Sequence, residues 1–420
     1  MSFSFLHTAD IHLDSPLKGL EAHEDAPVDE IRGATRRAFD NLIDLAIEEA
    51  VDFVLIAGDL YDGDWKDYNT GLFFAGRMGR LDKAGIRVFV ASGNHDAASR
   101  STRALPLPDN VTLFPHKKPT SVALEELGVI IHGQSYSSRA VIENLAAQYP
   151  QHGSGYFNIG LLHTSLTGRE GHEDYAPCTP DDLKSKGYDY WALGHVHKRE
   201  IVSEEPWILF PGNIQGRHIK ETGSKGATLV TVEDGRVVEV KERELDVLRW
   251  AICQVDLSEC ETTDSVYDAV KQAFEQERAK ADGKTLALRL VLTGRCSVHA
   301  QLFDRAAQWV EEFRGIAAGL GDIWLEKVKF RTNRKVSLEE IIGEDTPVAG
   351  LVQSIQRLEL DGDTLLRLAP ELAVLKSKLP PEIHGGDEPF LDTSPEKIAE
   401  LRNEVQELLI ARLLQHGAAG

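Results

Sequence analysis

The sequence predicts an α/β fold: a layered sheet flanked by helices, then a small α+β module and a helical C-terminal tail. Three observations carry this reading. Short apolar runs read as buried strands, namely Phe3–His7, Phe53–Ala57, Ile86–Ala91, Phe157–Leu162 and Tyr188–Leu193. Between the first of them lie helical stretches. Val28–Ala50 places Ile31, Ala34, Ala38, Leu42, Leu45 and Ala46 three and four apart, and a second helix covers Tyr68–Ala84. Third, 420 residues with 42% hydrophobic content exceed one ordinary core and suit two or three domains.

The later elements follow from the same signals. Residues Ile201–Val240 read as strands and turns, broken at Glu205-Pro206, Pro211-Gly212 and Asp234-Gly235. A second module begins near Leu245. It reads as strand Trp250–Leu257, helix Asp264–Lys280, strand Thr285–Leu292, helix Val298–Phe313 and strand Ile323–Phe330. The expected domains are therefore 1–245, 246–335 and a helical region 336–420. The last helix has Ser394 as its cap, Pro395 in its first turn and an apolar stripe of Ile398, Leu401, Val405, Leu408, Leu409 and Leu413.

Composition removes several function classes. Met1–His7 has neither a basic nor a long apolar segment, so no secretory leader is expected. No apolar run approaches the roughly 18 residues of a membrane span. Cys178, Cys253, Cys260 and Cys296 form no CxxC pair, which argues against a disulfide framework or zinc ribbon and for a reducing, cytoplasmic setting. The formal charge is −21. Proteins that grip nucleic acid do so by neutralising phosphates. Any such contact here has to be local, metal-assisted or shared with a partner.

The chemistry lies at the strand ends. Asp10-Ile11-His12 follows the first strand and Gly58-Asp59-Leu60-Tyr61-Asp62 the second. Gly93-Asn94-His95-Asp96 follows the third; His163 and Gly194-His195-Val196-His197 close the later two. Sites of open α/β sheets form outside the carboxyl ends of strands. Each group alone is an ordinary turn or histidine; their conjunction is not. Two divalent cations about 3.5–4 Å apart clamp a phosphate and activate water. Such a pair needs one bridging carboxylate, for which Asp59 is the candidate, plus nitrogen and oxygen donors. His and Asp suit manganese, iron or zinc better than calcium.

This order of motifs resembles the calcineurin-like metallophosphoesterases over residues 10–197. The stretches Thr8–Leu17 and Phe210–His218 make it similar to the SbcD/YhaO-type DNA repair exonucleases, to about residue 335. The resemblance implies a layered β-sandwich metallophosphoesterase core flanked by helices and an α+β capping domain. It implies one metal, most often Mn2+, on Asp10, His12, Asp59 and His197. A second would sit on Asp59, Asn94, His163 and His195. His95 would act beside the scissile phosphate, with Asp96 orienting it, and water would be the nucleophile. Where some nucleases of this class end the second motif in histidine, this chain has Asp62.

DNA and protein partners are expectations of the same kind. Lys327, Lys329, Arg331, Arg334 and Lys335 form the densest basic run, and Arg217, Lys220 and Lys225 a looser group. Both suit a nucleic-acid backbone. The resemblance implies a coiled-coil ABC/SMC-type or related ATPase docked through the C-terminal helices, and a homodimer. A small phosphodiester or phosphomonoester as substrate, or a non-catalytic scaffold, are the alternatives. The scaffold reading is weak because every ligand-type residue is present.

Overall fold

The computed structural model describes residues 2–15, 33–62, 68–98, 107–166, 175–335, 347–357, 364 and 394–417. The start of the expected helix Val28–Ala50 and much of region 336–420 lie outside these residues. The chain divides at Trp250 into two compact units.

The first unit holds β1 (Ser2–Thr8), α1 (Ala34–Glu48), β2 (Phe53–Ala57), α2 (Tyr68–Lys83), β3 (Arg87–Ala91), the short α3 (Asn94–Ala98) and β4 (Val111–Leu113). β5 (Thr120–Leu124), β6 (Val129–Gly133), β7 (Phe157–His163), α4 (Pro180–Lys184) and β8 (Tyr190–Gly194) follow. β9 (Glu200–Glu204), β10 (Trp207–Phe210), β11 (Gly226–Glu233) and β12 (Arg236–Glu244) complete it. Two six-stranded sheets result, ordered β12-β11-β1-β2-β3-β4 and β5-β6-β7-β8-β10-β9. β1 to β4 run parallel, as do β6, β7, β8 and β10. Antiparallel strands close the edges.

The layers follow from strand alternation. Phe3, Phe5, Phe53, Leu55 and Phe89 of the first sheet meet Ile131, Ile159, Leu161 and Tyr190 of the second in one buried cluster. Phe5 stacks on Phe53 at 5.0 Å and meets Tyr190 edge-on at 5.2 Å between centroids. The opposite face of the first sheet, through Leu6, Val54, Ile56 and Val88, buries Phe39, Leu42 and Ala46 of α1 and Phe74, Met78 and Leu81 of α2. Each such large side chain contributes roughly 1.5–3 kcal/mol. The helical period predicted for α1 is therefore the one that covers the sheet. The fold is the layered sandwich expected. β11 and β12 join through Asp234 and Gly235, both at positive φ (50° and 73°), the conformation a tight hairpin requires.

The second unit has a three-stranded sheet, β13 (Leu248–Asp256), β14 (Thr285–Cys296) and β15 (Ile323–Arg334), with β14 central. Its helices are α5 (Thr263–Lys280), α6 (His299–Asp304), α7 (Ala306–Leu320), α8 (Pro347–Gln356) and α9 (Pro395–Gly417). The single helix expected over Val298–Phe313 is two. Arg305 leaves the helical region (φ −118°, ψ 33°), and the indole of Trp309 donates to the Gln301 carbonyl. Ser394 caps α9 as read: its Oγ accepts from Lys397 N at 3.4 Å. The apolar stripe of α9 divides. Ile398 is buried, whereas Leu401, Val405 and Leu409 are exposed. All four cysteines are free and buried. Among the described residues no helix is long and apolar enough to cross a membrane.

Candidate metal centre

The parallel strands bring the predicted motifs to one rim. Beyond β1 and β2 the two loops remain paired: Asp10 N, His12 N and Leu13 N donate to the carbonyls of Gly58, Asp59 and Leu60 at 2.9–3.0 Å. Asp10, His12 and Asp59 each take a left-handed backbone conformation, with φ of 51°, 48° and 51°. Such conformations cost non-glycine residues of order 1–3 kcal/mol each and gather at functional sites. Gly58 and Gly93 make the packing possible. A Cβ on Gly58 would lie 2.3 Å from His163 Nδ1, and one on Gly93 2.3 Å from Asp59 Oδ1.

Three groups of donors result; Asp59 lies between two of them, and the third joins His12 to Asp62 and His95. Asp10, His12 and His197 bring ligand atoms together on one side; Asp10, Asp59 and His163 do so on the other. Asp59 Oδ2 is 3.9 Å from His12 Nε2 and 3.5 Å from His163 Nε2. Asn94 Oδ1 stands 3.0 Å from the same His163 nitrogen. His195 contributes differently. Its backbone N–H donates to both Asp10 oxygens at 3.1 and 3.0 Å, and its ring meets His163 edge-on at 5.2 Å.

The protonation states fit cations. Burial lowers His163 to about 4 and holds His12 and His197 below the usual imidazole range. His163 Nδ1–H donates to the Ala57 carbonyl at 2.9 Å, so its Nε2 carries a lone pair. His197 Nδ1–H donates to Glu221 Oε1 at 2.6 Å, and its free Nε2 faces His12 Nε2 at 3.2 Å. Carboxylate partners of this kind fix the tautomer of metal-binding histidines. Conversely, burial, then the charge of Asp59, pushes Asp10 well above the carboxylate range, and burial raises Asp59 itself. Lone pairs facing lone pairs beside buried carboxylates form a cation site. His12, His163 and His197 have few protons to release on binding metal, whereas burial biases Asp10 and Asp59 toward the protonated form that would have to lose one. Affinity should therefore weaken as pH falls, by up to about tenfold per pH unit for each proton displaced. Calorimetric Mn2+ titrations from about pH 5 to 8, in buffers of different ionisation heat, check this; an affinity that does not weaken toward low pH would refute it.

His95 sits at the open side, 32% exposed, and its Nδ1 lies 2.7 Å from Asp62 Oδ1. The expectation that Asp96 orients it is corrected here. Asp96 is buried and accepts from Leu60 N, Tyr61 N and Gly93 N at 3.2, 2.8 and 3.0 Å. It ties two motif loops together, and among the described residues its hydrogen bonds go to backbone N–H groups, not to the His95 ring. Burial, followed by the charge of Asp59, lifts Asp96 to about 6. Asp62 behaves oppositely. Burial alone would raise it, but hydrogen bonds with His12 and His95 hold it well below the carboxylate range. Against the pull of burial, that bond with Asp62 keeps His95 above the imidazole range.

The basic residues divide. Arg217 belongs to the metal centre, 3.3 Å from His197 Nδ1, and Lys220 is exposed. On β15 a register shift near Glu326 resets the alternation: Val328 and Phe330 turn to the core, while Lys327, Lys329 and Arg331 share the other face. Two cations of the run meet carboxylates of this chain, Arg331 with Glu400 at 3.5 Å and Lys335 with Glu261 at 3.8 Å. Arg334 is half-buried.

A carboxylate shared by two sets of neutral nitrogen and oxygen donors, with a histidine at the open side, defines a metal-dependent hydrolase site. Residues 3–199 match the calcineurin-like phosphoesterase family, and residues 250–333 match the middle domain of metallophosphoesterase YhaO. The chain is 40% identical over 295 residues to the uncharacterized metallophosphoesterase YhaO of Bacillus subtilis (strain 168), covering 69% of this chain and 72% of that protein. It belongs to the calcineurin-like metallophosphoesterase family and is a YhaO homologue. It is also 24% identical over 363 residues to the DNA double-strand break repair protein Mre11 of Sulfurisphaera tokodaii, across 83% of this chain and 86% of that protein. Among solved structures, TT1561 of Thermus thermophilus aligns with 58% of this chain and 99% of its own, at 14% identity and a TM-score of 0.34.

Proposed function

We propose that the chain is a nuclease that hydrolyses phosphodiester bonds in DNA. The observation that carries the hydrolytic part is Asp59 lying between two donor sets, with His95 held by Asp62 at their open side. Asp10, His12, Asp59 and His197 would hold one divalent cation, and Asp59, Asn94, His163 and His195 the other. Bound there, two such ions supply the charge and Lewis acidity that phosphate-ester hydrolysis needs. The protein supplies the rest. His95 offers its outer nitrogen to the leaving oxygen as a proton donor, and Asp62 fixes the ring that delivers it.

DNA as substrate is supported by the similarity to a break-repair protein over most of the chain and by the module that follows the core. Manganese as the working metal, an ATPase partner and a homodimer belong to the same proposal. The exposed Leu401, Val405 and Leu409 on α9 suit a docking face. A small phosphodiester is the second reading, favoured by the carboxylates set against Arg331 and Lys335. The deciding experiment is Mn2+-dependent cleavage of end-labelled single- and double-stranded DNA, beside a small phosphodiester and the His95→Ala variant. Cleavage of DNA that the variant lacks supports the nuclease. Turnover of the small ester alone, in the absence of any partner protein, favours the second reading.

A further inference from the structure

The segment Pro211–His218 is built into the metal centre. Gln215 pins it, donating to the Leu248 carbonyl at 2.6 Å and accepting from Val247 N at 2.9 Å. Asn213 Nδ2 donates to Glu221 Oε2 at 2.9 Å, and Arg217 N donates to the same oxygen at 2.7 Å. The loop thereby holds Glu221 against His197. It also points the Arg217 side chain, 15% exposed, back into the site.

There the guanidinium spans two carboxylate–histidine pairs. Nη2 lies 3.4 Å from Glu221 Oε1 and 3.3 Å from His197 Nδ1. Nη1 lies 3.8 Å from Asp62 Oδ2 and 3.3 Å from Ser15 Oγ, which itself donates to Asp62 Oδ2 at 2.6 Å. Glu221 holds a metal-site imidazole and Asp62 holds His95. A planar fork can engage two such acceptors at fixed separation, which the point charge of lysine cannot. The sequence reading assigned Arg217 to a DNA backbone; the structure directs its two terminal nitrogens to groups of this chain.

We propose that Arg217 is a positioning residue for hydrolysis, tying the Glu221–His197 pair to the Asp62–His95 pair so that metal ligand and proton donor keep one geometry. This rests on phosphoester hydrolysis at the site and not on DNA as the substrate. Loss of such a supporting group costs about 10- to 100-fold in metal affinity or activity.

The test uses the full chain with Arg217→Met and Arg217→Lys. It reads Mn2+ affinity by calorimetry, kcat and KM on bis(4-nitrophenyl) phosphate, and rescue by added guanidinium. Thermal melting of the metal-free proteins verifies folding. The expected result for Arg217→Met is weaker Mn2+ binding and a kcat lowered about 10- to 100-fold, at nearly unchanged KM. Guanidinium should restore part of both, and Arg217→Lys should fall between. If the methionine variant does not fold, the lysine variant carries the same readouts. Unchanged kcat and Mn2+ affinity with only a raised KM for the ester would make Arg217 a substrate contact and overturn the proposal. So would a loss that guanidinium does not relieve. Should the wild-type protein turn over no ester, the proposed function fails, and the Mn2+ titrations alone still decide the role of Arg217.

Discussion

Asp59→Ala should empty both metal positions together. The carboxylate is within 3.5–3.9 Å of an imidazole nitrogen from each donor set, and its other oxygen accepts from His95 N at 3.0 Å. Without it one side keeps Asp10, His12 and His197, and the other only Asn94, His163 and His195. Two cations bound there would then lose the carboxylate that offsets their mutual repulsion. Turnover should drop by at least the 10²–10³-fold, about 2.7–4 kcal/mol, that removal of one preorganised electrostatic group costs. Metal content of the purified variant, measured by mass spectrometry, should approach zero. Retention of one full equivalent would sink the shared-carboxylate assignment. A companion result has the opposite sign. Buried charges without a counter-ion are costly, and Asp59 helps to push Asp10 upward. Metal-free Asp59→Asn should therefore melt above metal-free wild type, and below it when Mn2+ is saturating.

The layers and the site were legible to different depths. The strands and helices that build the rim followed from short apolar runs and helix periodicity, because burial on both faces leaves a direct trace in sequence; the order of the strands did not. The motif groups sit where those runs end. Hydrogen-bond partners left less trace. Asp96 adjoins His95 in sequence, yet neighbours on a helix point about 100° apart, and Asp96 instead reaches back to Gly93 N in the manner of a capping residue. Its three-residue spacing from Gly93 was the available signal. Asp62 had one too, its place three residues after Asp59. Glu221 had none: it lies 24 residues beyond His197, and only the fold of the Pro211–Lys225 loop brings them together. The run on β15 is basic in sequence, but the carboxylates that meet Arg331 and Lys335 lie 69 residues later in one case and in the loop before α5 in the other. The exposure of Leu401, Val405 and Leu409 depends on what α6 and α8 leave uncovered, which periodicity does not encode.

His95→Ala should leave the metals in place and remove most of the turnover. The His95 ring is absent from both donor groups that flank Asp59 and groups with His12 and Asp62 alone; it faces His12 edge-on at 4.9 Å and is oriented through Asp62. Metal content and melting temperature should therefore stay near wild type. Proton donation contributes about 10²–10⁴-fold where the leaving group needs it. The size of the loss should depend on the leaving group. An alkoxide, as in DNA or a dinucleotide, departs poorly without a proton, whereas 4-nitrophenolate departs readily. The variant should lose far more activity on the dinucleotide than on bis(4-nitrophenyl) phosphate. Asp62→Asn should reproduce the same leaving-group pattern at smaller amplitude, since it loosens the ring and withdraws the charge that favours its protonated form. Equal losses on both substrates would instead assign His95 to binding the phosphate, and a fully active variant with normal metal content would remove it from the reaction.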